Sequence, residues 1–312
     1  MSKLNLVLGG NGFLGYYITQ ELVRNGNRVR CLTHRTARDE DTIPGVEYIT
    51  GDAFNSEVLA QAVEGVEAVY YFISTSLPNS GERYLDNEIR MTLNSLDLML
   101  HIMAEHGIRK FIYPSSGGAI YGDQSNAPVS ENTLLEPTTA YGVGKQMSEA
   151  LIGFYCRKHN FDSYIYRIGN VYGSDRLRDK PQGVIDVFIQ AALKDESLKI
   201  WGDATHSIRD YIYLEDAAKA IVSSSMKELC GLNIFNVGTG KGTSVKKIIS
   251  EIENNLGHNL RLERYPQKAS GVSSIVLDST RIQQVCNWRP EISIEEGIKR
   301  TIESKRKVLG CL

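Results

Sequence analysis

The chain is poor in the features that mark several protein classes. Cysteine occurs five times, as Cys31, Cys156, Cys230, Cys286 and Cys311, widely spaced and with no CxxC pair or His/Cys cluster. Neither a disulfide scaffold nor a zinc site follows from that pattern, and no metal centre is expected. Positive charge is not in excess, because 35 Lys and Arg stand against 37 Asp and Glu for a formal net charge of -2. A protein tracking a phosphate backbone would carry a basic surplus, so nucleic acid is not an expected partner. No apolar run approaches the ~20 residues of a membrane span, so no membrane partner is expected either. The opening MSKLNLVLGG enters an apolar strand with no signal peptide before it. With 42% hydrophobic and 23% charged residues the composition is globular rather than disordered. The expectation is a soluble cytoplasmic enzyme of one large domain or two ordinary ones.

The first half alternates short apolar runs with helical patterns. Strands are expected at Leu4–Leu8, Arg28–Leu32, Val46–Ile49, Ala68–Ile73, Lys110–Tyr113 and Tyr164–Ile168. Helices are expected at Phe13–Arg24, Glu57–Val63, Asn87–Glu105 and Tyr141–Lys158. Strands separated by helices indicate a parallel sheet covered on both faces, and six or seven of them fit a doubly wound Rossmann-type α/β fold. After about residue 170 the strands at Leu198–Trp201, Arg209–Tyr213, Leu232–Val237 and Arg261–Tyr265 are less evenly spaced. Helical patterns fall at Gly183–Lys194, Leu214–Met226, Ser244–Leu256 and Ile294–Lys305. The reading is a dinucleotide-binding domain over 1–170 and a smaller α/β substrate domain over 171–312, with an approximate, interleaved boundary.

The first strand runs into Gly9-Gly10-Asn11-Gly12-Phe13-Leu14-Gly15. The GxxGxxG spacing permits a tight turn and a close approach of backbone to a pyrophosphate. The helix that follows presents free N–H groups and a positive dipole end. Its position after a strand and before a helix makes the motif specific. An NAD site usually places Asp or Glu at the end of the second strand to hold the ribose 2′-OH. Here that position is Thr33, followed by His34 and Arg35. A guanidinium attracts a 2′-phosphate that a carboxylate would repel, so NADP(H) is preferred, with NAD(H) possible. Asp52 is either a partner for the adenine amino group or a cap of the helix that follows.

Tyr141 and Lys145 stand four apart, on one face of a helix. A cation beside a phenol stabilises the phenolate and yields a proton donor and acceptor usable near neutral pH. Together with the glycine turn, the pair makes the chain resemble the extended short-chain dehydrogenase/reductase superfamily, in its nucleotide-sugar epimerase/dehydratase/reductase branch. The resemblance spans nearly the whole length and includes Ser115–Gly122, Arg167–Gly173, Trp201–Asp203, Arg209–Tyr213, Phe235–Gly240 and Trp288–Pro290. It implies Tyr141 as acid and base, with Lys145 activating it and holding the nicotinamide ribose. It implies a cofactor cleft formed by Gly9, Gly12, Phe13, Leu14, Gly15, His34, Arg35, Asp52, Ala53, Ser74, Tyr141 and Lys145. It implies Ser116, Asn170 and Arg209 on a nucleotide-sugar substrate, the last by bidentate phosphate recognition; the other reading of Arg209 is a surface ion pair with Asp210 or Glu215. A homodimer formed through the long helices is also implied.

Two departures shape the expected chemistry. The hydroxyl residue of the family falls four residues before Tyr121, where this chain has Gly117. Either Ser116 takes over its hydrogen bond to the sugar 4-oxygen or Tyr141 works without it. The acidic residue that dehydratases carry next is replaced by Gly118, which disfavours 4,6-dehydration. Two reactions remain, both exchanging hydride at C4 of a hexose. One is an NADPH-dependent 4-ketoreductase acting on a nucleotide-linked 4-keto-6-deoxyhexose, such as a dTDP-4-dehydro-6-deoxyglucose, for bacterial polysaccharide (O-antigen, lipopolysaccharide) synthesis. The other is a 4-epimerase with retained NAD, like UDP-glucose 4-epimerase. A catalytically silent NADP(H)-binding scaffold is the alternative from another class, and the intact Tyr141–Lys145 pair counts against it.

Overall fold

Leu4–Leu8 forms a strand in which all five residues are buried, as expected of a parallel strand covered on both faces. Leu6 and Leu8 enter one core while Val7 enters the other, so the period of two divides the strand between two helical layers. The structure is a computed structural model describing residues 3–36, 41–74, 85–124, 128–176, 182–202, 207–265 and 274–309.

The large sheet is built from β1 (Leu4–Leu8), β2 (Arg28–Thr33), β3 (Val46–Thr50), β4 (Ala68–Tyr71), β5 (Lys110–Ser116), β6 (Asp162–Ile168) and, later in the chain, β10 (Leu232–Val237). Its order is β10-β6-β5-β4-β1-β2-β3, and every pairing is parallel. The fold class is therefore a doubly wound Rossmann-type sheet, reversing direction between β1 and β4, where ligands of such sheets bind. One face carries α2 (Ser56–Ala62), α4 (Asn94–Glu105) and α6 (Ala140–His159). The other carries α1 (Gly15–Arg24) and α8 (Leu214–Ser225). The helix expected from Asn87 starts earlier, as α3 (Leu85–Glu88), and passes through a π-type turn (Ile89–Leu93) into α4. The short α5 (Gly117–Ile120) lies between β5 and α6.

Side chains fix several helix starts. Asn55 Oδ1 accepts from the Glu57 and Val58 amides at α2, and Thr139 Oγ1 accepts from the Gly142 amide at α6.

The smaller lobe contains β7 (Asn170–Tyr172), α7 (Val184–Leu193), β8 (Leu198–Trp201), β9 (Ile208–Tyr213), β11 (Gly242–Ser244), α9 (Val245–Leu256), β12 (Leu262–Tyr265), β13 (Ser274–Ile275) and α11 (Ile294–Leu309), while α10 (Thr280–Cys286) lies with the larger. β9 pairs with β7, β11 and β13, and β8 pairs with β12. A separate core of Ile185, Phe188, Ile189, Tyr211, Ile248 and Ile298 holds this lobe together. Interleaving is concrete: α8, β10 and α10 all lie beyond residue 170, yet they pack with the large sheet. Among the described residues no helix is long and apolar enough to cross a membrane.

Candidate active site

The glycine turn closes on itself at the end of β1. The Gly9 amide donates to the Leu32 carbonyl (3.0 Å) and the Gly12 amide donates to the Gly9 carbonyl (2.8 Å). Gly9 has φ +78°, and a Cβ there would lie 2.8 Å from the Phe72 carbonyl oxygen. A Cβ at Gly12 or Gly15 would lie 2.8 or 2.2 Å from the Gly9 oxygen. The turn is thus a backbone cradle with no side-chain volume inside it. No side chain caps α1; the Tyr16 amide donates to the Gly12 carbonyl (3.3 Å), and the positive end of the helix dipole stands beside the turn. These residues fit a dinucleotide pyrophosphate. Phe13 and Leu14 are half-buried and pack against the core beneath α1.

At the end of β2, Thr33 is turned inward and donates to the Arg35 carbonyl (2.9 Å). His34 and Arg35 are exposed. Of the two roles open to Asp52, the cap of α2 falls to Asn55, whereas Asp52 Oδ1 accepts from the Phe54 amide and the residue is exposed. Ala53 is half-buried, and Ser74 is exposed just past β4.

Tyr141 sits in the first turn of α6 with its ring half-buried and, among the described residues, no partner on its phenol. Close packing brings the start of α6 against α5, just past the end of β5, because a Cβ at Gly142 would lie 2.6 Å from the Ala119 carbonyl oxygen. Lys145 is buried. Its Nζ donates to the Pro114 carbonyl (2.8 Å) and Tyr113 hydroxyl (3.2 Å) and lies 5.7 Å from the Tyr141 ring centroid. Pair and strand end are therefore held as one unit.

Behind the pair lies a buried polar chain that the sequence reading missed. Ser115 Oγ donates to Glu149 (2.6 Å), and Arg167 donates to Glu149 through Nη2 (2.7 Å) and to the Tyr121 hydroxyl through Nη1 (3.0 Å). Burial alone would weaken the Arg167 charge. The adjoining Glu149 carboxylate outweighs it and holds the guanidinium above its ordinary value. Burial pushes the Tyr121 phenol up to about 12 against the opposing Arg167 charge. The Tyr121 hydroxyl donates to Asn236 in turn (2.7 Å). Only the spacing of Glu149 four residues after Lys145 hinted at this chain.

Ser116 is half-buried at the end of β5, and its side chain makes no cap to α5. A Cβ at Gly117 would meet Leu277 Cδ1 at 2.6 Å and the Arg167 carbonyl oxygen at 3.0 Å, so the place of the family hydroxyl is filled from the second lobe. A Cβ at Gly118 would lie 3.0 Å from Asn170 Oδ1, which puts Asn170 against α5, just past the end of β5. Arg209 lies on β9, whose Tyr211 pairs with Asn170. Burial pulls its guanidinium below its ordinary value. Asp210 accepts from Thr239 N and Oγ1, Gly240 N and Leu277 N instead of forming the surface pair open in the sequence.

The glycine cradle lies at the end of β1, the Tyr141–Lys145 pair beside the end of β5, and Asn170 and Arg209 on the paired strands β7 and β9. A family model for NAD dependent epimerase/dehydratase proteins matches residues 5–238. The chain belongs to the NAD dependent epimerase/dehydratase family. It is 33% identical over 307 residues to a Methanocaldococcus jannaschii protein provisionally assigned as a UDP-glucose 4-epimerase, covering 95% of this chain and 96% of that one. It is 29% identical over 311 residues to an Escherichia coli dTDP-4-dehydro-6-deoxyglucose reductase, covering 96% and 97%. Among solved structures it is similar to the UDP-glucose 4-epimerase of Thermotoga maritima with UDP-glucose, at TM-score 0.90 and 27% identity over 98% of this chain and 99% of that one. The chain is thus an enzyme of the nucleotide-sugar epimerase/dehydratase/reductase group, dependent on a nicotinamide dinucleotide.

Proposed function

We propose that the enzyme reduces the 4-keto group of a nucleotide-linked 4-keto-6-deoxyhexose with NADPH, in the synthesis of bacterial polysaccharide sugars. The observation that carries this reading is the end of β2, where Thr33 turns inward and Arg35 is exposed with no carboxylate at the strand end. A cation there suits a 2′-phosphate, and NADPH suits one-way reduction. The bound nicotinamide supplies the hydride. Tyr141 donates its phenolic proton to the developing 4-oxygen, and Lys145 favours the resulting phenolate. Asn170 and Ser116 orient the sugar, and Arg209 holds the diphosphate by charge-assisted hydrogen bonds. His34, Asp52, Ala53 and Ser74 line the adenosine side of the cleft. Gly118 leaves no acid for eliminating water, which favours reduction over dehydration.

Exposed apolar side chains on adjoining segments, Leu85 on α3, Met91 in the π-type turn before α4, and Met147 and Phe154 on α6, support a homodimer through this face. A cytoplasmic setting suits an enzyme that consumes NADPH.

The second reading, a 4-epimerase with retained NAD, is favoured by the relatives named for that activity. One assay separates the two. Purified enzyme given a dTDP-4-keto-6-deoxyhexose is expected to consume NADPH stoichiometrically at 340 nm. Interconversion of UDP-glucose and UDP-galactose without added cofactor would replace reduction with epimerisation. Arg35→Ala is expected to weaken NADPH more than NADH, and equal weakening would remove the basis of the cofactor preference.

A further inference from the structure

Among the described residues, the segment after β7 brings side chains to the cofactor cradle. Asp175 accepts from the Tyr17 hydroxyl, and its own amide donates back to that oxygen at 2.9 Å. Burial, then the Asp175 charge, hold the Tyr17 phenol well above its ordinary value, which keeps it a donor. Arg176, next in sequence, touches the turn and groups on either side of it. Nη1 donates to the Asn11 carbonyl inside the glycine turn (3.4 Å), the guanidinium lies 4.2 Å from the Tyr16 ring centroid, and Nη2 pairs with Asp41. The pair is largely covered, with 14% of the Arg176 side chain and 11% of Asp41 exposed. Asp41 lies on the same β2–β3 connection as His34 and Arg35. One side chain from the substrate lobe thus ties the pyrophosphate turn to the connection that rims the adenosine end of the cleft.

We propose that Arg176 is a positioning residue for the dinucleotide: it fixes the glycine turn and the β2–β3 connection against each other, and this strap must loosen for the dinucleotide to leave. Its chemistry suits the task. A planar guanidinium can stack on an aromatic face, pair with a carboxylate and donate to a carbonyl at once, whereas an ammonium offers only a compact charge. The inference needs the cleft to hold a nicotinamide dinucleotide, but it does not depend on which sugar is reduced.

Direct binding of NADPH and of NADH, followed by the fluorescence of the reduced nicotinamide in equilibrium and stopped-flow dissociation, tests it. Arg176→Ala is expected to weaken both dinucleotides by about tenfold or more, the scale of losing one hydrogen bond to a charged group, mostly through faster dissociation. Asp41→Asn, which keeps shape and leaves Arg176 on Tyr16, should give a smaller loss of the same kind. Arg176→Lys should not restore wild-type retention. In turnover, KM for the dinucleotide should rise more than kcat falls. Unchanged dissociation in folded Arg176→Ala, checked by its thermal transition, overturns the proposal. So does a rise confined to the nucleotide-sugar KM, which would place Arg176 on the substrate instead. Should Arg176→Ala fail to fold, unchanged dissociation in Asp41→Asn overturns it. A failed reductase assay with both dinucleotides loosened would sink the proposed reaction and leave the strap standing.

Discussion

Two glycine-rich turns lie at the carboxyl ends of parallel strands in this enzyme, and each opens a helix. The turn after β1 is filled by its own backbone, since the added Cβ atoms at Gly12 and Gly15 would strike the Gly9 carbonyl. The turn after β5 is filled by other parts of the chain, with Leu277 against Gly117 and Asn170 against Gly118. The first is a local device whose ten-residue helix follows at once. The second opens a four-residue helix held in place by α6. Binding a constant ligand needs only the first kind. Shaping a cleft for a particular sugar needs the second, because distant residues can then vary its walls.

Five substitutions would break or sharpen that comparison. Tyr141→Phe, at the second turn, is expected to lower kcat by about 10²–10⁴-fold, the usual worth of a general acid, with dinucleotide binding nearly intact. Unchanged biological activity of this variant would restore the silent-scaffold reading. Gly15→Ala, at the first turn, is expected to abolish fluorescence-detected NADPH binding and to destabilise by about 1–3 kcal/mol, because a carbonyl is the obstacle. Wild-type NADPH affinity in this variant would show that the cradle tolerates a side chain.

Gly117→Ala should cost less, since the nearer obstacle is a flexible leucine end. Leu277→Ala should relieve it, with a coupling of about 0.5–3 kcal/mol in a double-mutant cycle of denaturant unfolding. Additive effects would mean that Leu277 does not fill the site of the missing hydroxyl. Ser116→Ala is expected to lower kcat several-fold, less than Tyr141→Phe, if Ser116 takes over the hydrogen bond to the sugar. No change in kcat would leave Tyr141 working alone.

What could be read in the sequence follows the same division. β1, the glycine turn and α1 were legible because each depends on neighbours within one supersecondary unit. The Tyr141–Lys145 pair was legible for the same reason, since a helix places residues four apart side by side. Ser116, Asn170 and Arg209 stand in motifs of the resemblance, but what adjoins them in the fold was not legible. Leu277 lies far along the chain from Gly117, and no periodicity links them. α5, β7, β11 and β13 escaped because two to four residues carry no period, and tertiary pairing makes them. Nothing in the sequence links Arg176 to Asp41, which folding brings together beside the glycine turn. Glu149 and Arg167 were likewise invisible as a pair, because helix and strand meet only in the assembled sheet.

The place of β10 in the large sheet has a consequence for how the chain is made. Leu232 pairs with Ser163 and Val237 with Ile168, so β6 gains its outer neighbour only after much of the smaller lobe has been synthesised. Until then β6 ends the sheet with a row of unpaired amides and carbonyls, a template for association with other chains. A ribosome that stalls near residue 170 would release a sheet with a sticky edge rather than a free-standing nucleotide domain. The two lobes are thus bound in time as well as in space, since the first is not finished until the second has begun.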